Sequence, residues 1–184
     1  CIRDRADIRT GPLTTSLYGF NGTNAAPQLD NWGITAAFAS QHLLFAMGYI
    51  ANIGDSDTIA AERINGKVPG LSFSAGISAG RWHLIGEFIT ANQPFQAGDG
   101  PFVASTQPRA SNLELAYAAG ATTFAVGMQH TDEAEALELP QKRSMASVTH
   151  KLMKNTHVAI EWATHEEVDG RHNDTITARL GVVF

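Results

Sequence analysis

Between residues 70 and 80 the chain reads GLSFSAGISAG, with Leu71, Phe73, Ala75 and Ile77 on one parity and Ser72, Ser74, Gly76 and Ser78 on the other. Successive side chains of a β-strand point to opposite sides, so this stretch specifies a strand with one apolar and one hydrophilic face. A helix would spread both sets around its circumference. The constraint lies in the second set, which is not only polar but small. Whatever faces that side is offered hydroxyls and open space, while all the bulk sits opposite.

The same texture recurs along the chain. In NWGITAAFA, Trp32, Ile34, Ala36 and Phe38 alternate with Asn31, Gly33, Thr35 and Ala37. RWHLIGEFITA sets Trp82, Leu84 and Phe88 against Arg81, His83 and Glu87, and SNLELAYAAG sets Leu113, Leu115 and Tyr117 against Asn112, Glu114 and Ala116. Phe124, Val126 and Met128 form one parity of ATTFAVGMQH, and Val158, Ile160 and Trp162 oppose His157, Glu161 and His165. The closing run TITARLGVVF alternates through Ile176, Ala178, Leu180, Val182 and Phe184. Less regular candidates are Leu13 to Asn21, Leu43 to Ile53 and Ser144 to Leu152, which brings the expected total to about ten strands. Residues 1–12 are read as an N-terminal segment and 13–184 as the strands of a single domain; 57–64 is at most a helical turn within a loop.

Short and long connections alternate. Residues 40–41, 79–81, 119–121 and 153–155 are tight links, whereas 54–69, 92–110, 132–142 and 166–173 are longer and rich in Gly, Pro, Asp and Asn. In an antiparallel meander this gathers the tight turns at one end and the long loops at the other.

A soluble sandwich or barrel could share that rhythm, but it would bury its bulky face. Here Ser72, Ser74, Gly76, Ala116, Gly127 and Ala159 leave the polar side nearly empty, and Trp32, Phe73, Trp82, Phe88, Tyr117, Phe124 and Trp162 crowd the other. The arrangement suits a barrel with lipid outside and water inside, and runs of about ten residues match the roughly 9 to 11 needed to cross a bilayer at a tilt. Closure pairs every backbone polar group. No stretch approaches the roughly 18 uninterrupted apolar residues of a membrane helix. A formal charge of −5 without a basic cluster gives nucleic acid no footprint. Cys1, the only cysteine, excludes an internal disulfide or a cysteine-rich metal site; it permits a lipid-modified N-terminus or the arbitrary start of a fragment. With the last strand descending, Phe184 falls at the membrane boundary, the tight turns on the periplasmic side and the long loops outside.

Residues 64–95 (INGKVPGLSFSAGISAGRWHLIGEFITANQPF) and 139–184 (LPQKRSMASVTHKLMKNTHVAIEWATHEEVDGRHNDTITARLGVVF) resemble the C-terminal part of LbtU-family siderophore porins. The resemblance rests on strand and turn texture. It implies an outer-membrane barrel without a large plug and uptake of ferric siderophores; separately, the alternating run that closes on Phe184 resembles the signal by which the barrel assembly machinery recognises its clients. Members of that family are longer, so the chain is expected either to close with about ten strands or to form part of a larger barrel.

Chemistry along the inward parity is weighed residue by residue. His83, Glu87, Glu114, His157, Glu161 and Arg179 are expected to line the lumen, where mixed charges bias which solutes pass. Their alternative role is mutual pairing that stiffens the wall. Trp32, Trp82, Tyr117, Trp162 and Phe184 are expected at the membrane borders rather than stacking on a ligand. His157, Glu161 and His165 are spaced by four, about 13 Å on a strand, too far apart to share a metal whose ligands lie about 2.0 to 2.2 Å away. Ser144, Ser147, His150 and His157 contain the ingredients of a hydrolase, but His150 and Ser147 differ in parity. The expectation is therefore a channel, not an enzyme, without cofactor or metal, passing a small polar solute or iron chelate. Lipid and lipopolysaccharide would surround it, with a homo-oligomer or envelope complex as the expected assembly. The competing readings are a non-conducting barrel whose loops 54–69 and 92–110 hold a partner, and a soluble binding sandwich.

Overall fold

The computed structural model describes residues 2–20, 31–53, 67–97, 104–134 and 139–182. Its strands are β1 (Ile2–Thr10), β2 (Leu13–Phe20), β3 (Asn31–Ala39), β4 (Leu43–Ile50), β5 (Gly70–Ala79), β6 (Trp82–Ala91), β7 (Phe95–Ala97), β8 (Ala104–Thr106), β9 (Arg109–Ala119), β10 (Thr122–Asp132), β11 (Lys142–Met153), β12 (Thr156–Glu166) and β13 (His172–Val182). Eleven of them form one sheet in the order β1-β2-β3-β4-β5-β6-β9-β10-β11-β12-β13, and β7 and β8 form a separate ribbon. Every neighbouring pair is antiparallel, so the fold is an up-and-down meander. Among the described residues β1 and β13 are its edges.

Three stretches of the chain correct the sequence reading. Residues 1–12 were expected to precede the barrel, yet Ile2–Thr10 forms β1 and pairs with β2, Asp7 opposite Ser16 and Arg9 opposite Thr14. Its alternation of Ala6 and Ile8 with Arg5, Asp7 and Arg9 is genuine but hidden by charge density, which ordinarily argues against a strand. The 92–110 connection contains β7 and β8, each only three residues long, below what periodicity can register. Strand β13 begins at His172, three residues before the expected start, leaving only 167–171 as the link from β12. Cys1, Phe184 and the suggested helical turn at 57–64 lie outside the described residues.

The tight links fall where expected. Ala79 pairs with Trp82 across Gly80 and Arg81, and Ala119 with Thr122 across Gly120 and Ala121. Gly80 and Gly120 have φ of +60° and +63°, the left-handed first position of a two-residue hairpin that matches strand twist, open to glycine at little cost.

At the long-loop end the connections are tied together. Asn31 Nδ2 donates to the Asn52 carbonyl at 2.7 Å, and Asn52 Oδ1 accepts from the Val68 amide at 3.1 Å, joining β3 to both ends of the β4–β5 link. Val68, Ala91 and Phe95 form a small buried cluster against Ile53. On the β10–β11 link, Glu133 adopts φ of +50°; its carbonyl accepts from the Thr106 hydroxyl and its carboxylate from the Gln107 amide at 2.8 Å.

Candidate functional site: the enclosed polar face

Cross-strand partners share a face, so the register divides the sheet unambiguously. One row runs Leu84–Leu115–Val126–Ala146–Trp162–Ile176 across β6 and β9 to β13, and another Trp82–Tyr117–Phe124–Val148–Ile160–Ala178. On this face Trp32, Phe45, Trp82, Phe124, Val126 and Ile160 are all exposed. Of the eight buried apolar residues described, five are alanines. Bulk therefore faces outwards and the protein has no large dry centre among the described residues.

The opposite parity is the enclosed one. Tyr18 on β2 and Ile89 on β6 line a single recess of about 160 Å³, although four strand spacings, about 19 Å on a flat sheet, separate them. Ile53, just past β4, similarly shares a recess with Ala134 and Leu139 of the β10–β11 link. The sheet is curled around this face.

His83, Glu87, Glu114, His157, Glu161 and Arg179 all occupy the enclosed parity. Glu87 lies opposite Asn112, His83 opposite Ala116, Glu114 opposite Ile85, Glu161 opposite Ser147, Arg179 opposite Ala159 and His157 opposite Gly181. They are not one cluster. His83 Nδ1 is hydrogen-bonded to the Ser78 hydroxyl at 3.0 Å, while the His157 ring lies over Gly181, where an added Cβ would collide with it. Glu161 Oε1 accepts from Arg143 Nη2 at 2.8 Å, the two side chains each about one-third exposed. Arg143 was missed from sequence. Its parity with Ser147 in KRSMASVTH was a sufficient signal.

The enclosed wall is also less uniformly hydrophilic than expected. Tyr18, Ile50 and Ile89 project from it at the loop end, and the Tyr18 ring covers Gly33 on the neighbouring strand. Alternation does not reveal this strip, because an isoleucine on the polar parity reads as noise.

Of the aromatic residues expected at the borders, Trp32, Trp82, Tyr117 and Trp162 occupy the outward parity. Trp82 and Tyr117 face one another with ring centroids 4.7 Å apart at the tight-turn end, and Trp32 packs on Tyr49 at 5.2 Å at the loop end. Trp162 sits mid-strand on β12, paired with Ala146 and Ile176, away from both pairs. His150 contacts the Thr122 hydroxyl at 2.9 Å on the outward face, on the opposite side of the sheet from Ser147, which faces Glu161. Among the described residues no three His, Cys, Asp or Glu side chains gather as a metal site, and no helix is long and apolar enough to cross a membrane.

No protein-family profile matches the chain, and no curated protein matches it by sequence. Its fold is similar to solved outer-membrane barrels. The outer membrane channel DcaP of Acinetobacter baumannii superposes with a TM-score of 0.62 at 12% identity, over 96% of this chain and 60% of that one. A porin superposes with a TM-score of 0.67 at 14% identity, over 97% of this chain and 59% of that one. The chain thus spans about three fifths of each. What is shared is an antiparallel up-and-down sheet of porin type.

Proposed function

We propose that the protein is part of the wall of a bacterial outer-membrane channel for small solutes. The observation that carries the reading is the inverted solvent arrangement: exposed Trp, Phe, Leu and Ile from strand after strand on one face, and a curled, enclosed face lined by Ser, Thr, Gly, Glu and Arg. A water-soluble sheet would lose free energy at about 25 cal/mol for each Å² of apolar area left in water, whereas acyl chains accept the same surface without penalty. Main-sheet strands of 8 to 12 residues suit a tilted crossing, and aromatic pairs at the two ends of the outward face suit the interfacial belts. The porin-type fold supports the same reading.

In this reading His83, Glu87, Glu114, His157, Glu161 and Arg179 line the water path, where carboxylates and cationic groups side by side bias which solutes pass. Lipid and lipopolysaccharide contact the outward face, with Trp32, Trp82 and Tyr117 near its borders. Ferric siderophores as cargo, the C-terminal strand as a signal to the barrel assembly machinery, and a homo-oligomeric or envelope assembly are supported by the family resemblance and sequence pattern alone. The test is swelling of liposomes carrying the purified chain. Small sugars are expected to enter; exclusion of even the smallest sugar, with the protein inserted, favours a filled structural barrel. Full solubility without detergent would overturn the membrane reading altogether.

A further inference from the structure

We propose that the recess spanning β6 to β11 on the enclosed face binds a small zwitterion, with an amine and a carboxylate separated by a short hydrocarbon stretch. The proposal rests on the channel reading only for the route by which solute arrives. Glu87, Asn112, Gln129 and Arg143 stand opposite one another on four successive strands of the sheet and form one polar row. They line a recess of about 280 Å³ together with Ile89 and Met145. Three strand spacings, about 14 Å at the backbone, separate the ends of the row, and the Glu87 and Arg143 side chains shorten that span.

The row carries two unmet hydrogen-bonding demands of opposite sign. Asn112 Oδ1 is a buried acceptor, and Arg143 Nε a buried donor, each without a partner among the described residues. Buried polar atoms are ordinarily paired, so a ligand that brings a donor to the β9 side and an acceptor to the β11 side completes the wall. Charge points the same way. The Glu87 carboxylate, directly opposite Asn112, attracts an ammonium group. The Arg143 guanidinium, engaged by Glu161 through Nη2 alone, retains Nε for a carboxylate.

Lining chemistry narrows the class. A simple anion satisfies only the Arg143 end and meets the Glu87 carboxylate at the other. A simple amine satisfies only the Glu87 end. Ile89 and Met145 provide an apolar surface for the connecting carbons. At about 280 Å³ the recess has room for a short-chain amino acid such as 6-aminohexanoate.

The experiment titrates the purified chain in detergent micelles with 6-aminohexanoate, hexylamine and hexanoate by calorimetry, alongside conductance in planar bilayers. The zwitterion is expected to bind about fivefold or more tighter than either single-ended probe, the equivalent of one additional charge-assisted contact. Glu87→Gln is expected to weaken the zwitterion and hexylamine but not hexanoate, and Arg143→Gln the zwitterion and hexanoate but not hexylamine. Equal binding of zwitterion and hexylamine, or unchanged affinity in Glu87→Gln, would overturn the site; this second variant is isosteric and keeps the test open should Arg143→Gln fail to fold. A conducting chain without the preference removes the site and leaves the channel, whereas a selective but non-conducting chain removes the channel and leaves the site.

Discussion

Arg143 on β11 reaches past Ala163 to bond Glu161 on β12, Nη2 to Oε1 at 2.8 Å, although the residue directly across from Arg143 is His165. The diagonal reach is possible because Ala163 is small and buried, so nothing stands between the two charges. The pair therefore balances the Glu161 carboxylate on the enclosed wall and fixes where the Arg143 guanidinium is held.

The first prediction concerns that pair. Glu161→Gln leaves the guanidinium uncompensated and is expected to shift bilayer selectivity from cations towards anions, read as a change in reversal potential under a salt gradient; Arg143→Gln is expected to shift it the other way. Because both side chains are partly open to water, the stability change in either variant is expected to be only about 0.5 to 1 kcal/mol. Matching shifts of the same sign would show that neither group faces the ion path.

Leu115 and Val126 are direct cross-strand partners in the middle of the outward face, 39% and 56% exposed. Arginine at either position is expected to cost about 2 to 4 kcal/mol of folding free energy in lipid, measured by denaturant unfolding in vesicles. A near-neutral result at both would place water, not hydrocarbon, against this face.

Gly33 lies directly opposite Tyr18, whose ring occupies the space that a Cβ at 33 would take. Gly33→Ala is expected to destabilise the sheet by about 1 to 3 kcal/mol through overpacking. Tyr18→Ala in the same chain is expected to recover most of that loss, a coupling readable in a double-mutant cycle. Additive losses would mean that the ring rests elsewhere.

Asp169, in the exposed link between β12 and β13, accepts from the Arg171 backbone amide at 3.1 Å and from Arg171 Nε at 2.6 Å. The backbone amide and then the guanidinium hold its carboxyl below the usual aspartate range. The folded value is lower than the unfolded one, so the contribution of this contact is complete above the ordinary aspartate pKa and is lost as pH falls through the depressed value. A carboxyl carbon titration by NMR is expected to show a midpoint below that of a free aspartate, moving upwards in Arg171→Ala.

Much of the fold was legible because one periodicity carried it. The run 31–39 was delimited to the residue, and the β5–β6 and β9–β10 turns could be placed from Ala-Gly followed by the next alternation. Strand β1 was not, since Arg5, Asp7 and Arg9 make a strand look like a solvated tail until β2 is known to lie beside it. Parity also assigns a residue to a face, but not to a neighbour. It could put Glu161 and Arg143 on one side of the sheet without revealing that Ala163 opens a diagonal between them. The isoleucines at 50 and 89 escaped for the opposite reason: side chains of that kind on a polar parity acquire meaning only once the sheet curls and sets them against Tyr18.

The recumbent rings of Tyr18 and His157 have a consequence for calibre. The width of a barrel is set first by strand number and stagger, then reduced by whatever stands up from the wall. Over Gly33 and Gly181 the Tyr18 and His157 rings lie against the wall instead of standing up from it, so in the proposed channel they would narrow those two levels by little more than the thickness of a flat ring. A single methyl at either glycine would push its ring away from the wall, so the flat seating of both rings depends on two side chains that are only hydrogen.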